Sequence, residues 1–376
     1  MGNVYSLCLE QDKQNRIRVK TEDVSGKPVR WRYGYDGAGR LSEVSRDEAG
    51  VERYVYDSLG RRSEDYIPLR GQGGRVFEYG LDNRLLRAGD AHYVHDTSGF
   101  RRGRFGPRGK TYYHYAPDYR LLAVQLPGGK TIEYHHDADG MRSGKYVDGE
   151  LVEQYRWHDR FRMAAWMHSG RWLTVCYTQD GRPSGLFRQD GSARFILHTD
   201  QLGSIRVIEE SKQKVIKEVL YDSFGNVLRD SNPYLPCPLG FAGGLHDHDT
   251  GLVRFGWRDY DPDTGRFTAK DPIGAAGGDT DWYGYCLDDP VNATDKTGLT
   301  PWYRFLDAGA KTWKYVEPWL ETGMPSGTGM YEVGVNYTKK YANKVAKEAK
   351  KAGKWYLEVV DENTRKIARS RYDNQK

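Results

Sequence analysis

The sequence predicts a mainly β fold, in which antiparallel β-hairpins build a curved sheet, with a small α+β domain appended at the C-terminus. The chain has 28 tyrosines and 44 glycines among 376 residues. Tyrosine favours strands, whereas glycine and aspartate favour tight turns. A short motif also recurs roughly every 20 residues, the period of a repeat architecture. The composition then changes abruptly at Thr300. The chain is polar, with a mean hydropathy of −0.80, and has no apolar run long enough to span a membrane.

The recurring motif is an aromatic strand followed by Asp–x–x–Gly and a basic residue, as in Tyr33–Leu41 and Tyr54–Arg62. Its aspartates step by 14 to 25 residues, with one double step of 41. Aspartate accepts hydrogen bonds from backbone amides of its own turn, and glycine supplies the positive φ. One hairpin alone leaves its aromatic face uncovered, so stacked hairpins should form a continuous curved sheet. The anchoring aspartates are Asp36, Asp57, Asp82, Asp96, Asp118, Asp137, Asp159, Asp200 and Asp222.

These Tyr-Asp-x-x-Gly-Arg units resemble YD repeats, and residues 251–299 resemble the core segment that ends RHS-repeat proteins and tripartite-toxin C proteins. The motifs that carry the second resemblance are Arg258–Phe267, Asp271–Gly274, Trp282–Tyr285 and Asp289–Asn292. The resemblance implies a β-sheet wound into a hollow shell, which encloses a polymorphic C-terminal toxin and is plugged at one end by the core segment.

The resemblance and the change in composition divide the chain into three parts. Residues 1–250 are the YD-repeat shell segment, residues 251–299 the core segment, and residues 300–376 a variable basic domain. The repeat body is several times shorter than the family's shells, which implies a partial wall with an exposed sheet edge. Such a cassette could be joined to a longer shell or close by oligomerising.

Two Asp–x–x–Gly turns in the core segment, Asp271–Gly274 and Asp295–Gly298, are candidate catalytic elements. Two carboxyl groups held close together do not both ionise easily, so one can act as a base and the other as an acid in peptide hydrolysis. The resemblance implies that Asp271 and Asp295 are the paired aspartates of the RHS core, which cleaves itself after the leucine of Asp-Pro-x-Gly-Leu. The implied scissile bond is Leu299–Thr300.

A purely structural role for this pair stays open, because aspartate starts turns throughout the chain. Lys296 stands where the family has proline, which would help to fix the turn that aims the second carboxylate. Lys270 could hold the neighbouring carboxylate ionised or simply be solvated. Gly274 and Gly298 are the glycines that support the two turns.

Other clusters are interpreted as structural. His246–Asp249 has metal-ligand side chains, but its aspartates fall at turn positions, so we predict a turn and no metal site. Gly109–Thr111 and Gly129–Thr131 lack the first glycine of a phosphate-binding loop and are predicted to be hairpin turns. The four cysteines form no CxxC pair, which predicts free thiols made in a reducing compartment. We expect no cofactor.

Residues 300–376 carry the chain's excess positive charge, with 15 lysines and arginines against 9 aspartates and glutamates. Residues 338–352 are predicted to be a helix whose basic face includes Lys344 and Lys351, and a basic face beside aromatics suits nucleic-acid contact. Glu358 and Asp361 could hold a divalent ion for a nuclease. A membrane-active helix, a merely solvated basic face and an inactive tail are alternatives.

The resemblance implies a shell that carries a C-terminal effector and releases it by aspartyl self-cleavage after Leu299, for interbacterial competition or host intoxication. The alternative is a non-catalytic YD-repeat protein with a structural or surface-interaction role and an inactive tail. The implied partners are an immunity protein for residues 300–376, a longer RHS shell and a secretion apparatus such as a type VI system. The first residues lack an apolar signal core, so we expect synthesis in the cytoplasm and delivery by a dedicated system.

Overall fold

A computed structural model describes residues 4–299 except 72, 81, 189 and 211–213, together with the backbone of residues 302–303. These residues form 28 strands and five short 3-10 helices, with no α-helix among them. No described helix has the length and apolar character needed to cross a membrane. The predicted mainly β fold is confirmed, while the predicted C-terminal α+β domain lies outside the described residues.

The strands follow one another closely along the chain. The first eleven are β1 (Tyr5–Gln11), β2 (Ile17–Val24), β3 (Lys27–Tyr35), β4 (Leu41–Arg46), β5 (Ala49–Tyr56), β6 (Arg62–Tyr66), β7 (Arg75–Tyr79), β8 (Leu85–Ala88), β9 (Ala91–His95), β10 (Arg101–Gly106) and β11 (Gly109–Tyr115). The next eleven are β12 (Leu121–Gln125), β13 (Thr131–His136), β14 (Arg142–Val147), β15 (Glu150–Trp157), β16 (Met163–His168), β17 (Arg171–Tyr177), β18 (Pro183–Phe187), β19 (Arg194–Thr199), β20 (Ile205–Glu210), β21 (Lys214–Tyr221) and β22 (Val227–Asp230). The last six are β23 (Leu245–His246), β24 (Val253–Phe255), β25 (Arg258–Asp261), β26 (Arg266–Phe267), β27 (Ala293–Thr294) and β28 (Trp302–Tyr303). The 3-10 helices are Pro68–Arg70, Pro127–Gly129, Phe241–Gly243, Gly274–Gly277 and Cys286–Asp288.

Strands β1 to β22 form one antiparallel sheet in which each strand pairs with its predecessor and its successor in the chain. Strands β1 and β22 are its edges, and no pairing closes the sheet among the described residues. Strands β23 to β26 form a separate four-stranded antiparallel sheet, of which β24 to β26 lie in the core segment. The architecture is thus a long hairpin meander that ends in a compact core segment.

Most repeat turns start at an aspartate, as the motif predicts, but the turns that contain Asp82 and Asp118 start at Gly80 and Ala116. The Oδ1 atom of Asp36 accepts hydrogen bonds from the backbone N–H groups of Ala38 (2.9 Å) and Arg40 (3.0 Å), and Oδ2 accepts one from Nε of Arg40 (2.7 Å). Gly39 has a φ of 88°, a conformation that glycine adopts without steric cost. The aspartate therefore satisfies the turn backbone and pairs with the basic residue that ends the motif.

Two further turns of this kind were not predicted. Asp12 binds the backbone N–H and Nε of Arg16 in the same way. Thr178 takes the place of aspartate in the double step of 41 residues, where its Oγ1 accepts from the backbone N–H of Arg182 at 3.1 Å. A hydroxyl makes such a turn more weakly than a carboxylate, so a search for aspartate alone misses this repeat.

Successive repeats are joined by their tyrosines. The hydroxyl of Tyr56 donates to the carbonyl oxygen of Leu41 at 2.6 Å, and the guanidinium carbon of Arg40 lies 4.4 Å from the centre of the Tyr56 ring. Tyr35 and Tyr79 make the same two kinds of contact with the repeats before them. Tyrosine supplies both an apolar ring and a hydrogen-bond donor, which accounts for its abundance in this chain.

The core segment packs against the sheet through an apolar interior. Phe255, Tyr260, Phe267 and Tyr285 form a buried aromatic cluster in its centre. Other buried clusters mix strand residues with core-segment residues such as Leu252. The core segment therefore completes a hydrophobic core that the strands alone would leave exposed.

Ion pairs also join the sheet to the core segment, with the cation on the sheet and the carboxylate on the core segment. Three aspartates at every second position, two in β25 and one just after it, each form an ion pair with an arginine from a different strand. The pairs, at 2.6–3.1 Å, are Arg142–Asp259, Arg101–Asp261 and Arg75–Asp263. Most of these groups are buried, so each charge depends on its partner.

The His246–Asp249 cluster forms a turn at the edge of the core segment. The Oδ1 atom of Asp247 accepts from the backbone N–H groups of Asp249 and Thr250, and Oδ2 accepts from the hydroxyl of Tyr134 at 2.6 Å. Burial alone would raise the pKa of Asp247, but Lys145, at 3.0 Å, and the hydrogen bonds lower it instead. Asp247 is thus an anchoring carboxylate. All four cysteines are described, and all are free thiols.

Candidate active site

The two candidate aspartates each start a turn like those of the repeats. The backbone N–H of Gly274 donates to the carbonyl oxygen of Asp271 at 3.1 Å, and that of Gly298 to the carbonyl oxygen of Asp295 at 3.3 Å. Both glycines have positive φ, 56° and 67°. The Asp295 turn closes although Lys296 replaces proline at its second position. The turn geometry expected from the sequence is therefore present at both aspartates.

Arg258, at the start of β25, brings the two aspartates together. Its Nη2 atom lies 2.8 Å from Oδ2 of Asp271 and 3.4 Å from Oδ2 of Asp295. Its Nε donates to the carbonyl oxygen of Gly298 at 2.5 Å, and its Nη1 to that of Trp282 at 3.0 Å. The guanidinium also lies 3.7 Å from the centre of the Phe267 ring. A single buried cation thus links both carboxylates to the peptide that precedes Leu299.

Leu299 is held directly against the second aspartate. Its backbone N–H donates to Oδ1 of Asp295 at 3.1 Å and to Oγ1 of Thr297 at 3.0 Å. Thr297 Oγ1 in turn donates to Oδ1 of Asp295 at 2.9 Å. Leu299 itself is buried, with 1% of its surface exposed. The residue on the acyl side of the implied scissile bond is therefore fixed in position, while Thr300 lies outside the described residues.

The carbonyl oxygen of Leu299 and the carboxyl group of Asp271 both lie close to Gly277. The Leu299 oxygen and Oδ2 of Asp271 lie 2.8 Å and 2.9 Å from the point that a Cβ atom would occupy at Gly277. Both oxygens therefore face one small space above the Cα atom of Gly277. Two oxygen atoms meet favourably in such a space when one of them carries a proton.

A cavity of about 10 Å³ adjoins this space, and that volume is close to what one water molecule requires. Its walls bring both aspartates, Arg258 and Leu299 together with a third carboxyl group, that of Asp279. The complete lining is Arg258, Asp271, Gly274, Gly277, Asp279, Asp281, Trp282, Gly284, Asp295 and Leu299. The site therefore has room for a small reactant next to the Leu299 carbonyl.

The electrostatics of the site set Asp271 apart from an ordinary carboxyl group. Burial raises the pKa of Asp271 to about 7; Arg258 opposes this rise, and the charges of Asp295 and Asp279 add to it. Burial also raises the pKa of Asp279 to about 6. Asp271 consequently keeps its proton up to near-neutral pH, which is the condition for a carboxyl group to act as an acid.

The basic group at the pair is Arg258, which was not proposed for this role from the sequence. Lys270 lies half-buried, with its Cδ atom 3.3 Å from the Cβ position of Gly99, and no ion pair joins it to a described acidic group. Arg258 belongs to the core-segment motif. It lies 13 and 37 residues before the two aspartates, however, and such distances in sequence do not predict contact. Only the fold reveals its position.

The remaining predicted site residues are not part of this arrangement. Lys296 lines a different cleft beside Trp157 and Phe161. A larger cavity of about 570 Å³, beside Arg70 and Lys130, shares no lining residue with the aspartate site. The candidates in the C-terminal region lie outside the described residues: Lys344, Lys351, Glu358 and Asp361.

Comparison with known proteins identifies the relatives of this chain. The family model described as "Teneurin YD-shell" matches residues 2–276. Teneurin-4 of Mus musculus is 27% identical over 277 residues, which cover 71% of this chain and 10% of the relative. Teneurin-1 of Gallus gallus is 30% identical over 278 residues, again 10% of the relative. The chain thus spans about a tenth of the length of these teneurins.

Two bacterial proteins are also similar. "Probable deoxyribonuclease RhsB" of Dickeya dadantii is 28% identical over 320 residues, which cover 71% of this chain and 20% of the relative. The Photorhabdus luminescens Tc holotoxin pore has a chain that superposes with a TM-score of 0.52 at 15% identity, covering 80% of this chain and 18% of that one. This superposition supports the shared fold. The identification as an RHS/YD-repeat protein is confirmed, and the chain belongs to the teneurin YD-shell family.

Proposed function

We propose that this YD-shell chain hydrolyses its own Leu299–Thr300 bond with Asp271 and Asp295. The observation that carries the proposal is the double contact of Arg258 Nη2 with both carboxylates, next to the Leu299 carbonyl. Most aspartates of the repeat turns pair with an arginine of their own turn, as Asp36 does with Arg40, whereas Asp222 pairs with Arg70 from outside its turn. The two core aspartates differ in that both contact the same buried arginine, Arg258, beside the bond to be cut.

The proposed reaction divides acid and base between the two carboxyl groups. Asp271, in its protonated form, donates to the Leu299 carbonyl oxygen and makes the carbonyl carbon more electrophilic. Asp295 acts as a carboxylate, since its oxygens accept from Leu299, Thr297 and Arg258, and takes a proton from the attacking water. Positioned acid–base groups of this kind typically contribute about 10²–10⁴-fold each to a rate.

The atoms balance as in any peptide hydrolysis. The hydroxyl of water bonds to the carbonyl carbon of Leu299, and the bond from that carbon to the nitrogen of Thr300 breaks. The leaving nitrogen receives a proton from the carboxyl pair, so that residues 1–299 end in a carboxylate and residue 300 begins with an amine. Arg258 keeps both carboxyl groups and the Gly298 carbonyl in place throughout.

The cut would separate a shell, residues 1–299, from a basic C-terminal domain, residues 300–376. We propose that this domain is an effector carried by the shell, used in competition between bacteria or against a host and paired with an immunity protein. The name of the Dickeya dadantii relative makes DNA a suitable first target to test. Joining to a longer shell and delivery by a secretion system belong to the same proposal.

The test is the intact mass of the full chain after expression. The wild type should give two fragments that meet at Leu299–Thr300, whereas Asp271→Asn and Asp295→Asn should each give one full-length chain. An uncut wild type, purified folded at pH 6, would refute the proposal. That result would favour a non-catalytic structural or surface-interaction role.

A second measurement addresses the effector. Cells that express the wild type, the Asp271→Asn variant or a chain ending at Leu299 are compared for growth and for DNA integrity. Growth loss or DNA breakage that requires residues 300–376 is the expected result. Equal growth and intact DNA in all three would exclude a deoxyribonuclease.

A further inference from the structure

Gly277 ends the 3-10 helix Gly274–Gly277 in the wall of the aspartate site and is buried. Its neighbours Gly274 and Gly278 have φ values of 56° and 87°, which explains why glycine stands at those positions. The φ of Gly277 lies outside this left-handed region. The backbone conformation at Gly277 therefore does not itself call for glycine.

The space beside Gly277 is nevertheless restricted. A Cβ atom at Gly277 would lie 2.8 Å from the carbonyl oxygen of Leu299, 2.9 Å from Oδ2 of Asp271 and 3.4 Å from Cγ of Asp271. The first two distances are shorter than real Cβ atoms tolerate, and close-packed interiors have little room to absorb such a clash. A methyl group would occupy the space that the two oxygens now face.

Neither oxygen can move away easily. Oδ1 of Asp271 accepts from the backbone N–H of Ile273 at 2.9 Å, and Oδ2 is paired with Arg258 at 2.8 Å. The Leu299 oxygen belongs to the backbone, and the N–H of the same residue is held by Asp295. A side chain at position 277 would therefore force the carboxyl group and the carbonyl apart.

We propose that Gly277 is a positioning residue for self-cleavage, because its missing side chain lets the Leu299 carbonyl oxygen and the Asp271 carboxyl group share one space. This inference rests on the proposed function and goes beyond it, since Gly277 contributes no reacting group. Gly277 acts by allowing the carbonyl oxygen of Leu299 and the carboxyl group of Asp271 to lie close together.

The first test is the rate of cutting. Full-length chain is prepared in denaturant, diluted to start folding at pH 6, and sampled over time for the fraction cut. Gly277→Ala should cut about 100-fold more slowly than the wild type, since displacement by about 1 Å can have an effect of that size. Gly37→Ala, also at an ordinary φ but with no atom within 4 Å of its Cβ position, should cut at the wild-type rate.

The two hypotheses fail in different ways. If the wild type does not cut, self-cleavage itself is refuted. If the wild type cuts and Gly277→Ala cuts equally fast, self-cleavage stands and the role of Gly277 is refuted.

A second test does not depend on cutting. It remains informative if Gly277→Ala folds poorly. Gly277→Ala is introduced into two uncut chains, Asp271→Asn and Asp271→Ala, and the melting temperatures of all four are compared. The added methyl should lower the melting temperature of the Asp271→Asn chain, and the loss should shrink in Asp271→Ala, where the side chain that it meets has been shortened. An equal loss in both chains, including failure of both to fold, would overturn the proposal.

Discussion

Nη1 of Arg101 in β10 lies 2.6 Å from Oδ2 of Asp261 in β25, and both side chains are buried. This ion pair joins the sheet to the core segment across 160 residues of sequence. Removing one partner of a buried pair leaves an uncompensated charge, which is far more costly than removing an exposed pair.

Arg101→Met should accordingly destabilise the protein by about 3–5 kcal/mol. Urea unfolding in the uncut Asp271→Asn background measures this difference. The exposed pair of Arg32 and Glu48, at 2.9 Å, supplies the control, and Arg32→Met should cost less than about 1 kcal/mol. Equal effects of the two substitutions would mean that the Arg101–Asp261 pair does not anchor the core segment.

Arg258→Lys should slow self-cleavage by about 100-fold or more, because one ammonium group does not reproduce a guanidinium that contacts two carboxylates and two carbonyls. Lys270→Ala should slow it far less. The fraction of chain cut against time, measured by gel after dilution from denaturant, compares both with the wild type. Full activity of Arg258→Lys would assign the arginine a structural role only.

The rate of cutting should depend on pH through Asp271. Burial raises the pKa of this carboxyl to about 7, and the proposed mechanism requires its protonated form. The rate should therefore fall about tenfold per pH unit above pH 7. Initial rates between pH 5.5 and 9 test this dependence, and a rate that continues to rise above pH 8 would contradict the assignment of Asp271 as the acid.

Asp288 and Asp289 should each contribute stability that is lost as the pH rises from about 4 to 7, while the partly buried His95, His136 and His246, whose pKa values burial lowers, contribute in the opposite direction. Burial raises the pKa of Asp288 to about 7 and that of Asp289 to about 6, above the value of about 3.9 in unfolded chains. Groups with raised pKa values stabilise the fold while protonated, and this contribution is lost as they ionise. The melting temperature of the Asp271→Asn protein is measured at several pH values in this range. Adding Asp288→Asn should remove part of the loss of melting temperature with increasing pH. An unchanged loss would show that Asp288 is not a source of the pH dependence.

Tyr56→Phe should destabilise the sheet by about 0.5–1.5 kcal/mol, the contribution of one hydrogen bond. The substitution removes the donor to Leu41 and keeps the ring against Arg40. Tyr66, which is 47% exposed, provides the matched control, and Tyr66→Phe should be nearly neutral. Urea unfolding of both variants decides whether the hydroxyl contacts between repeats contribute to stability.

The repeat architecture was predictable because its signals are local. Asp36, Gly39 and Arg40 specify a turn within five residues, and their side chains satisfy that turn without help from the rest of the chain. The turn at Thr178 shows the limit of this approach, since a hydroxyl performs the same role with a different residue type.

The candidate site was predictable only in part. Asp271 and Asp295 stand out as turn-forming aspartates in a recognisable segment. Arg258 and Gly277 carry no such signal, because an arginine in a strand and a glycine among neighbouring glycines are common. Their roles arise from which atoms the fold places beside them, and that choice depends on packing across dozens of residues.

The alternate aspartates in and after β25 affect how many hairpins the sheet can contain. The tyrosine contacts join each repeat only to the repeat before it, so they set no limit on the number of repeats. Asp259, Asp261 and Asp263, however, pair with arginines of β14, β10 and β7, and Asp263 also pairs with Arg70 and Arg104. Deleting one hairpin between β7 and β14 would set some of these carboxylates opposite the wrong strands and leave buried charge unmatched. The core segment therefore favours a fixed number of hairpins between β7 and β14, and these pairs leave the number outside these strands free to vary.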